Sequence, residues 1–224
     1  MSSTRTAILF DVDGTLVDSN YLHSVSWWEA FTQAGHDVPM ARIHRTIGMG
    51  SDQLLDALLP ADRDRNDDDA IRAAHTALYA TYFSRQRPLP KAAELLRACR
   101  KAGFRVVLAS SASEREFAAL RATLDADDAI DEFTSSADVD RSKPAPDLVR
   151  AALDKTGMEP DAAVFVGDTV WDVKACGKAG VPCIGLLSGG ISRGELLDAG
   201  AVEVYDGPAE LLDGLPGSVL GGRR

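Results

Sequence analysis

Short apolar runs separated by amphipathic stretches set the pattern of most of this chain. The first run covers residues 7–10 and the second 105–109. Further strands are predicted at 132–134, 163–166, 182–187 and 202–205. Helical patterns lie between them at about 91–101, 113–123, 146–156, 171–178 and 193–199. Short strands that alternate with helices of this length predict an α/β fold with a doubly wound parallel sheet.

The stretch from 18 to 88 has a different pattern, without a convincing strand. Its helix-like segments are expected at about 20–34, 40–46, 51–58 and 67–84. All four histidines lie in this stretch, and all six lysines lie outside it. We therefore predict an inserted all-helical domain at 18–88 and an α/β core formed by residues 1–17 and 89–224.

The balance of charges narrows the range of partners. Acidic residues outnumber basic ones by 34 to 24, which gives a formal net charge of −10. Nucleic acid and anionic membranes both favour clustered Lys and Arg, so neither is an expected partner. No apolar run approaches the ~20 residues of a membrane span, and we expect no signal peptide.

The cysteines give a hint about the compartment. Cys99, Cys176 and Cys183 are scattered and odd in number, without the spacing of a zinc site. We interpret them as reduced thiols of a cytoplasmic protein. A monomer and a homodimer are both consistent with the sequence.

Polar and charged residues follow the predicted strands where each strand ends. They are Asp11 and Asp13 after the first strand, Ser110 and Ser111 after the second, Lys143 before a helix, and Asp168 and Asp172 after the fourth. The carboxyl ends of parallel strands lie along one edge of a sheet, so we expect these side chains to converge. Carboxylates packed so closely need a compensating charge, usually a metal ion. A metal, a lysine and a hydroxyl together are the groups that phosphoryl transfer needs.

This ordered set of motifs resembles the haloacid dehalogenase superfamily in its phosphatase branch. The pattern runs Asp11-x-Asp13-Gly14-Thr15, an apolar strand ending in Ser110, Lys143-Pro144, and Gly167-Asp168-x-x-x-Asp172, and it spans nearly the whole chain. The helical insertion resembles the cap domain of the family's phosphoglycolate phosphatase and β-phosphoglucomutase group. The resemblance implies a Rossmann-like core, a Mg²⁺ cofactor and a small phosphorylated metabolite as substrate, with phosphoglycolate and sugar phosphates as leading candidates.

The resemblance also implies a role for each residue of the motifs. Asp11 would be the nucleophile that forms an aspartyl-phosphate, and at an ordinary pKa of about 3.9 it would be ionised at neutral pH. Asp13 would protonate the leaving group and then activate water. The Mg²⁺ ligands would be Asp11, Asp13 through its backbone carbonyl, Asp168 and Asp172, with orientation of Lys143 as an alternative role for Asp172. The phosphate-binding residues would be Ser110, Ser111, Lys143 and Gly14, the last through a backbone N–H at a sharp turn.

Asp13 and the lysine-free insertion narrow the reaction within the family. Members that displace halide lack the second aspartate, and members that use a cap lysine as a Schiff base need a lysine before Lys91, where this chain has none. A β-phosphoglucomutase-like phosphosugar mutase remains the alternative to a phosphatase, because His23 and Trp27 match its pattern. A non-catalytic binding protein on the same scaffold is a remote alternative, since it would be expected to lack Asp11 or Asp13.

The loop after the second predicted helix is expected to face the substrate from the cap. Gly48 and Gly50 allow close backbone approach, and Ser51 is a candidate N-cap of the next helix. A mutase usually has an arginine in this loop, and its absence here favours a phosphatase. Arg42 and Arg45 lie nearby and are candidate ligands of a second anionic group on the substrate, although a solvated surface position is equally consistent with the sequence. Ser110 also has an alternative role, as a helix N-cap.

Overall fold

The strands predicted from the apolar runs form a parallel sheet. In a computed structural model, which describes residues 7–135 and 138–221, the strands are β1 Ala7–Phe10, β2 Arg105–Ala109, β3 Glu132–Thr134, β4 Ala163–Gly167, β5 Cys183–Leu186 and β6 Glu203–Tyr205. Within these residues they form one sheet in the order β3-β2-β1-β4-β5-β6. Every neighbouring pair is parallel. The predicted strands are confirmed to within one residue at each end.

The stretch from 18 to 88 is helical, as predicted from the sequence. Its helices are α1 Asn20–Gln33, α2 Met40–Thr46, α3 Ser51–Leu58 and α4 Asp68–Ala80. They enclose a hydrophobic cluster of their own, which includes Trp27, Phe31, Leu55 and Ile71. The fourth helix ends earlier than predicted, because the chain tightens there into i→i+3 hydrogen bonds such as Tyr82 N–H to the Tyr79 carbonyl at 2.9 Å.

The chain enters and leaves this helical insertion through two segments that run side by side. The N–H of Asp18 donates to the carbonyl of Arg87, and the N–H of Leu89 donates to the carbonyl of Leu16, both at 2.9 Å. These backbone bonds join the insertion to the core directly after the turn that follows β1. The helical cluster is therefore anchored close to the carboxyl end of the central strand.

The remaining helices cover both faces of the sheet. They are α5 Ala92–Lys101, α6 Glu114–Leu124, α7 Asp147–Thr156, α8 Val170–Ala179, α9 Arg193–Ala199 and α10 Pro208–Gly214. Ile8 and Phe10 of β1 belong to the cluster formed with α5, α6 and α10, whereas Ala7 and Leu9 belong to the cluster formed with α7, α8 and α9. Successive side chains of a strand point to opposite faces, so a strand buried on both faces has to be apolar throughout, as β1 is. The sequence pattern did not predict α10, which is only two turns long.

The sheet order fixes where a ligand is expected. The chain crosses from β1 to β2 on one side and reaches β4 on the other, so the direction of winding reverses at β1. Open parallel sheets bind ligands in the crevice outside the carboxyl ends of their strands at such a reversal. None of the helices in residues 7–135 and 138–221 combines the length and apolar character that a bilayer crossing requires.

Candidate active site

Three buried aspartates meet at the reversal point of the sheet. Asp11 follows β1, Asp168 follows β4, and Asp172 lies in the first turn of α8. One carboxylate oxygen from each lies within 4.8 Å of the others. Two of them follow neighbouring strands, since Phe10 pairs with Val166 in the sheet. The predicted convergence of these side chains is therefore present in the structure.

Lys143 balances part of the charge of the three aspartates. Its Nζ lies 2.7 Å from Oδ1 of Asp11 and 2.7 Å from Oδ1 of Asp172, and its side chain is 1% exposed. It lies in the loop before α7, four residues ahead of the helix start. With all groups ionised the cluster carries three negative charges and one positive, and the net charge of −2 requires a further cation or bound protons.

The oxygen donors of the cluster suit Mg²⁺. Buried carboxylates are the ligands that this cation prefers in proteins. Oδ1 of Asp172 has Lys143 at ion-pair distance but accepts no well-aligned hydrogen bond, and the buried Oδ1 of Asn20 has no hydrogen-bond partner in the described structure. Asp11, Asp168 and Asp172 would thus hold the ion, and the side chain of Asp13 lies outside this cluster.

Hydrogen bonds fix the orientation of the two aspartates that follow β4. Asp168 accepts from Thr15 Oγ1 at 2.8 Å and from Asn20 Nδ2 at 2.7 Å. Asp172 Oδ2 accepts from the hydroxyl of Thr169 at 2.6 Å and from its N–H at 3.1 Å, which closes a capping box at the start of α8. Asp172 therefore stabilises the start of α8 and also pairs with Lys143, the contact that its alternative role requires.

Burial changes the acidity of the cluster. It raises the pKa of Asp11 to about 7, against the attraction of Lys143, and the negative charge of Asp172 adds to the rise. Burial and the charges of Asp172 and Asp11 likewise raise the pKa of Asp168 well above its ordinary value. For Lys143, burial lowers the pKa, but Asp11 and Asp172 outweigh it and hold the ammonium charged. Burial therefore works against the ionised form of Asp11 that its ordinary pKa predicts, and a bound cation would favour that form.

Asp13 faces the helical insertion. Its Oδ1 accepts a hydrogen bond from Ser19 Oγ at 2.5 Å and lies 3.3 Å from Nε2 of His23. Although burial raises the pKa of Asp13, the hydrogen bond and charge of His23 and the bond from Ser19 outweigh it and lower the pKa. His23 Nδ1 in turn lies 3.2 Å from Nε2 of His75, whose pKa is well below its usual value because of burial and the proximity of His23.

The two serines after β2 lie in different surroundings. Ser110 is fully buried, and its Oγ accepts a hydrogen bond from the N–H of Ala112 at 3.0 Å, while Ser111 lines the cavity described below. The N-cap of α6 is Ser113, whose hydroxyl forms a capping box with Glu116. The alternative interpretation of Ser110 as a helix cap is therefore wrong.

Gly14 has a structural role in the turn after β1. Its φ of +73° lies in the left-handed region, and a Cβ at this position would collide with Asn20 and Asp168. Its N–H donates to the carbonyl of Val17 at 2.8 Å. In this structure the turn itself uses the donor, and the contact of this N–H with phosphate stays a prediction.

A cavity of about 420 Å³ opens between the carboxyl edge of the sheet and the helical insertion. Asp11, Asp13 and Lys143 line it on the core side, and His23 and Trp27 line it from α1. The loop before α3 and the first residue of α3 also line it, with Ile47, Gly48, Met49, Gly50 and Ser51. The predicted positions of these loop and α1 residues near the substrate site are thus consistent with the structure.

The glycines of this loop allow close contacts with the core. Gly48 has a φ of +96°, and a Cβ there would meet the side chain of Thr169, while one at Gly50 would meet Ser142. Asp52 Oδ1 accepts a hydrogen bond from Ser142 Oγ at 2.6 Å across the same contact. Ser51 is the first residue of α3, and the N-cap is Gly50, so the prediction that Ser51 caps the helix is wrong.

The arginines singled out from the sequence have other partners. Arg45 forms an ion pair with Glu195, and Nη2 of Arg42 lies 3.5 Å from the carbonyl of Ala57. Neither arginine lines the cavity, which instead receives Arg72 from α4. Sequence reasoning missed Arg72, and it also missed His75, which stacks on Trp27 with ring centroids 4.0 Å apart. Their spacing of three residues on one helix was the available signal.

Comparison with known proteins identifies the relatives of the chain. Residues 6–180 match the model of the haloacid dehalogenase-like hydrolase family. The phosphoglycolate phosphatase of Rhodospirillum rubrum is 33% identical over an alignment that covers 97% of this chain and 94% of the relative. A hydrolase from Pseudomonas syringae superposes with a TM-score of 0.90 at 33% identity, covering 95% of this chain and 99% of that one.

A further solved relative was determined with a bound sugar bisphosphate. It is a mutant of CbbY from Rhodobacter sphaeroides in complex with xylulose-(1,5)bisphosphate, with a TM-score of 0.73 and 27% identity over 92% of this chain and 96% of that one. The phosphatase relatives and the family match agree with the carboxylate and lysine cluster at the edge of the sheet. This chain belongs to the haloacid dehalogenase-like hydrolases and is an enzyme of their phosphatase type.

Proposed function

We propose that the protein is a Mg²⁺-dependent phosphatase that hydrolyses small phosphomonoesters through an aspartyl-phosphate on Asp11. The observation that carries this proposal is the ion pair of Lys143 with Asp11, 2.7 Å long and buried beside two further aspartates at the floor of a cavity. The ammonium group orients the buried carboxylate and favours its ionised form. A carboxylate nucleophile needs both.

In the first step a carboxylate oxygen of Asp11 attacks phosphorus. A phosphorus–oxygen bond forms to Asp11, the ester bond to the leaving group breaks, and the leaving oxygen takes a proton from Asp13. Lys143, charged and close to Asp11, stabilises the negative charge on the phosphoryl oxygens, and the hydroxyls of Ser110 and Ser111 are the proposed hydrogen-bond donors. When bound, Mg²⁺ would supply charge neutralisation at the aspartates and the transferring group.

In the second step water hydrolyses the aspartyl-phosphate. Asp13 accepts a proton from the attacking water, phosphate leaves, and the Asp11 carboxylate is regenerated. The hydrogen bonds from Ser19 and His23 favour the ionised form of Asp13, which is the form that this step requires. For the first step Asp13 has to be protonated, and the negative charge of a bound phosphomonoester raises its pKa in that direction.

The helical insertion is proposed to act as a cap at residues 18–88, on a core of residues 1–17 and 89–224. The paired segments that include Asp18 and Arg87 would act as the hinge, and closure would exclude water from the reacting groups. One relative is named a phosphoglycolate phosphatase and another was solved with xylulose-(1,5)bisphosphate, and both molecules are small and carry phosphate. We propose a substrate of the same kind, a small phosphorylated metabolite.

Turnover of p-nitrophenyl phosphate in the presence of Mg²⁺ tests this proposal. Asp11→Asn is expected to lower kcat by about 10³-fold or more while the melting temperature is retained, because the amide cannot form the phosphoryl ester. Mass spectrometry of the wild-type protein, quenched in acid during turnover, is expected to find the mass of one phosphoryl group on the peptide that contains Asp11. Activity of Asp11→Asn close to that of the wild type would overturn the nucleophile assignment.

A phosphosugar mutase is the alternative to the phosphatase, and a second experiment distinguishes them. Incubation with β-glucose 1-phosphate and a trace of the 1,6-bisphosphate distinguishes the two reactions. A phosphatase releases inorganic phosphate in proportion to the substrate consumed, whereas a mutase yields glucose 6-phosphate without that release. The second outcome would replace the proposed phosphatase by the mutase.

A further inference from the structure

One cation of the cavity has no strong partner. Among the described residues that line the cavity, two carry a permanent positive charge, Lys143 and Arg72. Lys143 is held by Asp11 and Asp172 at 2.7 Å each. The buried Nη1 of Arg72 has no hydrogen-bond partner in the described structure, and its Nη2 reaches only Asp69 at 3.4 Å, whose side chain is 94% exposed.

The other nearby carboxylate, Asp68, does not provide the missing hydrogen-bond acceptor for Arg72. Asp68, a buried residue at the start of the same helix, is bound through both oxygens by Arg63 at 2.8 Å each. The ion pair with Asp69 lies in solvent, where such pairs contribute little. A buried guanidinium nitrogen without an acceptor is unfavourable, so this position gains most when a ligand supplies one.

The position of Arg72 on α4 defines what it can contact. The residues His75 and Thr76, three and four positions later on the helix, line the same cavity. Lys143 and Asp11 lie on the core side, where the reacting phosphoryl group is proposed to bind. The part of the substrate that is not transferred therefore extends towards the insertion, and Arg72 is available there.

From these observations we propose that Arg72 binds a second anionic group, a carboxylate or a phosphate, on the leaving-group side of the substrate. A planar guanidinium with five donors is suited to either group, because both offer paired oxygens. Asp52, Glu116 and Asp140 also line the cavity and repel such an anion, so its binding depends on the charge that Arg72 contributes. This inference rests on the proposed phosphatase function and names the substrate class of that site.

Matched substrate pairs test the inference. One pair is 2-phosphoglycolate with ethyl phosphate, and the other is fructose 1,6-bisphosphate with fructose 6-phosphate, where only the first member of each pair has the second anionic group. The wild type is expected to show a higher kcat/KM for the doubly charged member of at least one pair. Arg72→Met, which keeps most of the side-chain length, is expected to lower that value by about 10- to 100-fold, mainly through KM.

The controls separate charge recognition from general damage. Arg72→Met is expected to leave turnover of the singly charged members and of p-nitrophenyl phosphate within about twofold of the wild type. Arg42→Met, which removes another arginine of the insertion outside the cavity, is expected to change neither substrate class. Arg72→Lys is expected to retain part of the preference, because it keeps the charge but not the paired donors.

The outcomes that overturn the inference are distinct from failure of the proposed function. A wild type without preference in either pair, a preference that survives in Arg72→Met, or an equal loss for both members of a pair would each overturn it. If the wild type did not turn over p-nitrophenyl phosphate, that result would instead contradict the proposed phosphatase function. Calorimetric binding of 2-phosphoglycolate and ethyl phosphate to Asp11→Asn, with and without Arg72→Met, measures recognition without turnover. There, unchanged 2-phosphoglycolate affinity would overturn the role of Arg72.

Discussion

The two sides of the cavity differ in how fully their polar groups are satisfied. The floor is defined by Asp11 and Lys143, which line the cavity, together with the adjoining buried Asp168 and Asp172. Each of these side chains has a charged or hydrogen-bonding partner within 2.8 Å. On the wall, defined by His23, Trp27, Arg72 and His75, ring stacking dominates, and one nitrogen of Arg72 has no hydrogen-bond partner in the described structure.

This difference separates what the site does from what it acts on. Groups that are already paired and buried need little rearrangement when charge develops, which favours one kind of chemistry at the floor. On the wall, one nitrogen of Arg72 lacks an acceptor among the described residues, so a ligand that supplies an acceptor is stabilised there. This favours selection among substrates. We therefore expect changes at the floor to affect all substrates, and loss of its lysine to affect the fold as well, whereas changes at the wall should affect only some substrates.

Lys143→Met is expected to have the largest effect. The substitution leaves three buried aspartates without their cation, and breaking a buried pair in this way costs about 3–5 kcal/mol of unfolding free energy. Phosphatase activity should fall by about 10³-fold for every substrate, because the charge beside Asp11 is lost. Urea denaturation in the presence of EDTA and p-nitrophenyl phosphate turnover with Mg²⁺ measure the two effects.

A second substitution shows whether the loss comes from unpaired charge. Lys143→Met combined with Asp172→Asn removes one negative charge along with the positive one, so it should recover much of the stability but none of the activity. Lys174→Met, on the surface of α8 beside Trp171, is the matched control and should change neither. A Lys143→Met protein as stable as the wild type would mean that the floor is not held together by this ion pair.

Mg²⁺ is expected to stabilise the protein more as the pH rises. The pKa of Asp11, raised by burial to about 7, means that the folded protein without metal retains a proton that the unfolded chain releases near pH 3.8. The contribution of Asp11 to the free energy of unfolding is complete below pH 3.8. It is lost as the pH rises to about 7, and the loss amounts to about 4 kcal/mol. A bound cation that stabilises the ionised carboxylates should offset this loss.

Melting temperatures with EDTA and with Mg²⁺, measured from about pH 5 to about pH 8, test this expectation. The stabilisation by Mg²⁺ should grow through this range and should be much smaller in Asp168→Asn, which lacks one of the three carboxylates. If the shift with Mg²⁺ is the same at every pH, the acidity assigned to the floor does not control metal binding.

The floor was predictable from sequence because its residues follow the strands. An apolar run buried on both faces marks β1. The parallel topology brings Asp11 and Asp168 to one edge of the sheet, and this does not depend on the conformation of the loops. Lys143 and Asp172 follow from the same ordered motifs. The pKa of Asp11 was not predictable, because it depends on how completely the helical insertion and the core exclude water from the carboxylate.

The wall was predictable only in part. His23 and Trp27 were found through the resemblance of their spacing, but no motif marks Arg72 and His75 on α4. Which face of α4 turns to the cavity depends on how α4 packs against α1, and this packing is a tertiary property that the helical period does not determine. Tertiary packing also decides the position of Arg45. It lies close in sequence to the loop before α3, but it pairs with Glu195 instead of entering the cavity.

The smallest expected effect concerns His75 on the wall. Burial, together with the proximity of His23, lowers the pKa of His75 well below 6.5, so the folded protein excludes a proton that the unfolded chain binds. Stability from this group is therefore present above pH 6.5 and falls as the pH drops below it, by at most about 1.4 kcal/mol per pH unit. His75→Gln keeps a polar group beside His23 but cannot titrate, and it should flatten the loss of unfolding free energy between about pH 6.5 and about pH 5. His36→Gln, in the loop after α1, is the control and should leave that slope unchanged. An unchanged slope in His75→Gln would mean that burial on the wall does not keep His75 neutral in the folded protein.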